Sequence, residues 1–89
     1  VTKKLNEGFT TTQVAVTTSA AIAVPAAAGR DTVTLYNSGT STAYIGNSNA
    51  VTAANGFPII PGAALVMEAT VDVYAIGAGA TTLSVISEG

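Results

Sequence analysis

Short runs in which apolar and polar residues alternate occupy most of the chain. Gln13-Val14-Ala15-Val16-Thr17 places Val14 and Val16 on one face of an extended strand, and residues 20–25 repeat the pattern with Ile22 and Val24. The alanines of that second run have helical propensity, but Pro25 would break a helix, so the run is expected to be extended. Ala26-Ala27-Ala28-Gly29 reads as a small-residue loop. Residues 30–36 then direct Val33 and Leu35 inward, with Thr32, Thr34 and Tyr36 outward. Asn37-Ser38-Gly39-Thr40 has the composition of a hairpin loop, with glycine accepting the positive φ that tight turns need. Ala43-Tyr44-Ile45-Gly46 is expected to return beside it as the partner strand.

A Gly/Asn-rich loop over residues 47–56 follows, with Ala50-Val51-Thr52 as a short extended piece inside it. Phe57-Pro58-Ile59-Ile60 is apolar, yet its neighbouring prolines confine it to a sheet edge or to a cap on the core. Pro61-Gly62 suits the centre of a type II turn, proline fixing φ and glycine supplying the positive angle. It launches residues 63–69, in which Leu65 and Met67 share a face. Residues 71–76 and 81–87 are expected to close a final hairpin across Gly77-Ala78-Gly79-Ala80. About seven short strands at such spacing predict an all-β chain, an antiparallel β-sandwich of jelly-roll-like or Ig-like form over residues 13–89. Residues 1–12 show no such periodicity and read as an N-terminal arm. It is either a frayed terminus or a segment that orders on a partner through Leu5 and Phe9.

Composition adds a stability argument. A chain of 89 residues buries roughly 60–65% of the surface its unfolded form exposes, so small domains usually draw on disulfides, metals or partner chains. With no cysteine and no histidine, disulfides and the usual thiolate or imidazole metal sites are excluded. Association is the remaining route. Charged residues are 9% of the chain, against about 25% in ordinary soluble domains. The exterior must therefore be made of Thr, Ser, Asn, Gly and Ala, a surface suited to burial in an assembly. Cations number three, Lys3, Lys4 and Arg30, and the net charge is −2; counterion release on nucleic acid needs a cluster of several cations. No apolar stretch approaches the ~20 residues of a membrane-spanning helix, and the first residues lack the apolar core of a signal peptide. Synthesis in the cytoplasm without export is the corresponding expectation.

Candidate chemistry is scarce. Glu68 and Asp72 flank a bend, but a sugar-cleaving pair would want an aromatic platform, and the chain has no tryptophan. Asp31 beside Arg30 reads as a surface pair of little energetic worth. Asn47-Ser48-Asn49 supplies side-chain oxygens without a carboxylate, so a turn braced by local hydrogen bonds is expected there, not a calcium site. Serine and threonine nucleophiles lack a base to activate them. Gly77-Ala78-Gly79 leads into a strand, not into a phosphate-binding helix. No catalytic, cofactor or metal-binding residue is therefore assigned, and an enzyme is not expected. Outward-facing Tyr36 and Tyr44 read either as ordinary sheet surface or as a pair across their hairpin forming a contact patch, alongside Lys3, Lys4, Leu5 and Phe9 of the arm.

Tyr36-Asn37-Ser38-Gly39, Tyr44-Ile45-Gly46, Val51-Thr52, Asn55-Gly56-Phe57-Pro58 and Pro61-Gly62 occur in an order that resembles small β-sandwich virion proteins of tailed bacteriophages. These are capsid decoration or cement proteins, or modules of head and tail fibres. The resemblance spans residues 30–87 and rests on turn and strand signals, not on ligands; the first thirty residues carry none of it. It implies a virion protein on the capsid surface, bound to the shell of the major capsid protein and self-associated, with a trimer as the favoured state. The alternative is a glycan- or receptor-binding module of a tail fibre or adhesin, with Asn47, Asn49 and Asn55 as contacts.

Overall fold

The computed structural model describes residues 8–88. Among them eight strands form: β1 (Phe9–Val16), β2 (Ala21–Val24), β3 (Thr32–Asn37), β4 (Ala43–Gly46), β5 (Phe57–Ile59), β6 (Ala64–Met67), β7 (Val73–Gly77) and β8 (Thr81–Glu88). They make two four-stranded antiparallel sheets, one ordered β1-β8-β3-β6 and the other β2-β7-β4-β5. The chain is thus a β-sandwich, and this strand order is that of a jelly roll, which decides between the two sandwich forms that the sequence left open. The strand beyond the expected seven is β5, a three-residue edge strand built around Pro58.

Outside β2, the alternation is reproduced where it was read. Val33, Leu35 and Leu83 are fully buried, and Val16, Val24, Ile45, Ile59, Val73 and Val85 complete the core between the sheets. Each such side chain contributes about 1.5–3 kcal/mol through burial. Leu65 and Met67 share the inward face of β6 and pack against the same cluster, as expected. The Pro61-Gly62 turn also takes its expected form: Gly62 has φ 85° and the Ala63 N–H donates to the Ile60 carbonyl at 3.0 Å.

Both expected hairpins are absent. β3 and β4 lie in different sheets, as do β7 and β8, so residues 38–42 and 78–80 carry the chain across the sandwich. The pair β4–β5 is the one set of consecutive strands that hydrogen-bond, and it is joined by the long loop over residues 47–56. The cause at the first crossing is Asn37, whose side chain turns inward instead of braces a solvent-facing turn. Its Nδ2 donates to the Ser41 and Ile59 carbonyls at 2.8 and 2.7 Å, and its Oδ1 accepts from the Gly39 N–H and the Thr81 hydroxyl at 3.0 and 2.8 Å. Gly39 does not have a positive φ. It serves close approach instead, since a Cβ there would lie 2.6 Å from the Thr82 nitrogen and overlap the Thr81 hydroxyl.

Three smaller differences have local causes. Phe9 to Thr12, read as part of the arm, form the first half of β1, in register with β8 from Phe9↔Glu88 onward; Val1 to Glu7 lie outside the described residues. Ile22 and Val24 do not share a face, because the register shifts between them where β2 pairs with β7. The bulge exposes Ile22 and buries Ala23 beside Val24. Val51 is buried, but its segment is not extended strand.

Arg30 is the largest departure. It is 6% exposed and does not pair with Asp31 at the surface. Its guanidinium donates from Nε to the Ala69 carbonyl (2.6 Å), from Nη1 to Pro25 (2.8 Å) and from Nη2 to Val71 (3.0 Å). A planar fork of donors matches three carbonyls that no aliphatic residue would satisfy. The connections before β3 and before β7 are tied together by this fork, by the Ala27 N–H to the Thr70 carbonyl and by the Ala26 N–H to Asp72 Oδ1.

Candidate functional site

The side chains that would support chemistry are dispersed or engaged. Asp72 accepts the Ala26 N–H, Glu88 accepts the Thr32 hydroxyl, and Glu68 is exposed. Among the described residues no three metal-ligating side chains converge, and no helix is long and apolar enough to cross a membrane. What the fold assembles is surface, in three places.

The outer face of the β2-β7-β4-β5 sheet is the first. Tyr44 lies opposite Ile76 on β7 and Pro58 on β5, while Tyr74 lies opposite Ile22 on β2 and Gly46 on β4. The pleat puts these side chains on the face away from the core, because their neighbours Ala43, Ile45, Val73 and Ala75 are buried inward. The result is an uncharged strip in which tyrosine rings alternate with isoleucine and proline.

The second is the flank where the edge strands β5 and β6 leave the sandwich open. A groove of about 340 Å³ runs there between the sheets, lined by Ile45, Phe57, Leu65, Met67, Val71 and Val73, with Asp72 at its rim. Of the lining residues, Phe57 is 58% exposed and Val71 57%. Exposed large apolar groups are unremarkable singly; here two of them share one apolar groove.

The third is the outer face of the β1-β8-β3-β6 sheet. Successive rows across it read Thr11, Ile86, Thr34, Val66 and then Gln13, Ser84, Tyr36, Ala64. Gln13 Oε1 accepts the Ser84 hydroxyl at 2.9 Å. Among the paired strand residues on this face, Glu88 alone carries a charge, at its end.

The sequence-predicted contacts are therefore divided. Tyr36 and Tyr44 do not meet: they sit on opposite outer faces, because the segment between β3 and β4 crosses the sandwich. Phe9, 64% exposed, begins β1 on the same face as Tyr36. Lys3, Lys4 and Leu5 lie outside the described residues. Of the polar loop residues, Asn55 is engaged at both ends of its amide, accepting the Thr52 N–H at 2.8 Å and donating to the Ala50 carbonyl at 3.3 Å. With the Ser48 and Thr52 hydroxyls it braces the loop in the way expected of such a turn. Asn47 and Asn49 remain exposed, and Asn47 lines a polar hollow of about 180 Å³ with Ser48 and Asn55. The flank groove was not anticipated. Its signal was the alternation Leu65-Val66-Met67, which puts apolar groups on both faces of an edge strand.

Comparison with protein-family models, curated proteins and solved structures returned no match.

Proposed function

We propose that the chain is a non-catalytic structural protein of a tailed-bacteriophage virion, decorating or cementing the capsid by non-covalent binding to the shell of the major capsid protein. The observation that carries this reading is the exterior. Two sheet faces and an apolar flank groove lie exposed with almost no charge, on a fold that gathers no reactive groups among its described residues. Such a surface gains by being covered, and a protein-bound state covers it. The jelly roll recurs among viral capsid and lectin domains, which supports the reading at the level of fold alone. The sequence resemblance points the same way. In this reading the protein is made in the host cytoplasm, resides on the capsid surface, self-associates, and needs neither cofactor, nucleic acid nor membrane.

The test is co-sedimentation of the purified chain with heads of the encoding phage that lack it. Saturable binding at a fixed ratio to the capsid protein is expected. Because few charges are available, binding should persist at high salt, whereas a contact made by ion pairs would be screened. Heads that sediment without the chain overturn the proposal. Deleting residues 1–7 tests whether the arm anchors it; undiminished occupancy would rule that out. The polar hollow beside Asn47 is the feature that favours the glycan-binding alternative, and specific saturable binding on a glycan array would select it.

A further inference from the structure

A sandwich of two open sheets has four edge strands, and three of them here carry a feature that blocks strand addition. β2 is interrupted by the register shift at Ile22/Val24 and followed by Pro25. β5 is three residues long with Pro58 at its centre. β6 is four residues long. Short strands, bulges and prolines are the ordinary protections of an edge. β1 has none of them: Phe-Thr-Thr-Thr-Gln-Val-Ala-Val is eight residues without charge, proline or glycine, and its eight pairs with β8 run without a shift. Its other edge has no partner among the described residues. Phe9 to Gln13 are all exposed, including Thr10 and Thr12 on the inward row, so this half of β1 projects past the second sheet.

We infer that the free edge of β1 is a strand-pairing surface whose occupant is β1 of a second copy, antiparallel and related by a two-fold axis near Thr11. Self-pairing suits this strand for three reasons. With no charge along it, no like charges are brought together, and a charged foreign strand would find nothing to recognise. Centring on Thr11 sets Thr10 opposite Thr12 of the partner subunit and Phe9 opposite Gln13 of the partner subunit. Residues of the outer row then face outer-row residues, threonine pairs across the seam, and exposed Phe9 gains a neighbour. Finally, an antiparallel pair of identical strands is isologous and closes on itself. A trimer, by contrast, needs β1 to pair with a different surface, and the other edge of its sheet offers only the four residues of β6. The product is a continuous eight-stranded sheet formed from two four-stranded ones.

The pairing is a property of the free chain, so it is measured without capsids, by sedimentation velocity of the full chain over a concentration series. A dimer is expected for the wild type. T11K and T11E should each be monomeric with unchanged circular dichroism, because each sets like charges across the axis, and an equimolar mixture of the two should recover the dimer. Should either substitution unfold the chain, T11C decides instead. Under oxidising conditions it should give a disulfide-linked dimer on denaturing gels, while T34C, in mid-sheet, should not. A wild type that is monomeric throughout, or trimeric, overturns the inference. So does a T11K chain as dimeric as the wild type, a mixture that stays monomeric, or a T11C chain that does not cross-link.

Discussion

Replacing Asn37 by alanine is expected to remove much of the stability of the fold, and the size of the loss follows from four hydrogen bonds. The amide is fully buried. Its orientation is fixed by its partners, since two carbonyls require the NH2 and the Gly39 N–H requires the oxygen. The variant strands all four. Ser41 and Gly39 are half-exposed and regain water, but the Ile59 carbonyl partner and the 7%-exposed Thr81 hydroxyl sit inside. Two buried groups left unpaired cost about 1–3 kcal/mol each, and the lost packing of the amide adds about 1 kcal/mol. The sum is about 3–7 kcal/mol, against a total of about 5–13 kcal/mol for a domain this size. At about 4–8 °C per kcal/mol, thermal melts followed by circular dichroism should fall by at least about 12 °C, with urea titration giving the same loss. A loss below about 1 kcal/mol would refute the assignment of Asn37 as the hub of the crossing.

The isosteric Asn37→Asp separates hydrogen bonding from shape. It keeps Oδ1 but sets a second oxygen against the Ser41 and Ile59 carbonyls. The ionised form is disfavoured there, while the protonated form can donate to one of the two, so the folded pKa should lie above the unfolded value of about 3.9. A raised folded pKa means that the folded state holds more protons, so stability rises as pH falls. The deficit relative to wild type should be greatest above the folded pKa and should shrink as pH falls through it toward the unfolded value. A deficit that stays flat over that range counts against the geometry.

Gly39→Ala should cost about 2–3 kcal/mol in urea titrations through overpacking against Thr81 and Thr82; a neutral result would mean that the turn relaxes freely. Arg30→Met should cost about 2–4 kcal/mol by stranding three carbonyls. Because its partners are uncharged, the same loss is expected at low and high salt, and a loss that fades with salt would instead indicate an ion pair. Leu35→Ala, at a fully buried site, should cost about 2–5 kcal/mol, whereas Val66→Ser, at a 63%-exposed site, should stay within about 0.5 kcal/mol.

How much of this was legible in the sequence depended on whether the cause was local. Inward Val33 and Leu35, the type II turn at Pro61-Gly62 and the edge position of Phe57-Pro58-Ile59 follow from pleat, ring and φ, and all are found. Sheet membership is not local. Asn-Ser-Gly suits a hairpin and a crossing equally, and here the choice is made by an amide reaching Ile59 and Thr81, 22 and 44 residues away. The same holds for Arg30, whose role is visible only once Ala69 and Val71 are brought beside Pro25. Of the candidate contacts, the exposure of Tyr36 was readable from alternation, whereas Phe9 reads as part of an arm without periodicity. The company of Tyr44 was not readable, because its neighbours Ile76 and Pro58 arrive from strands distant in sequence.

The two proposals meet in a geometric consequence that can be tested. Pairing β1 with its copy while keeping outer rows together places the two-fold axis perpendicular to the joined sheet. Both β2-β7-β4-β5 sheets then lie on one side of it, and both Tyr44–Ile76–Pro58 strips point the same way. A shell offering repeated sites would engage both at once, and linked binding of this kind strengthens attachment by about 10²–10⁴-fold without any new contact. T11K, monomeric but folded, should therefore bind heads far more weakly than the wild type, and a mixture of T11K and T11E should recover the affinity. Replacing Tyr44 by serine should weaken binding while leaving the dimer intact. If monomeric T11K decorates heads as tightly as the wild type, the two strips do not act together. The dimer and the capsid reading then stand or fall separately, each on its own measurement.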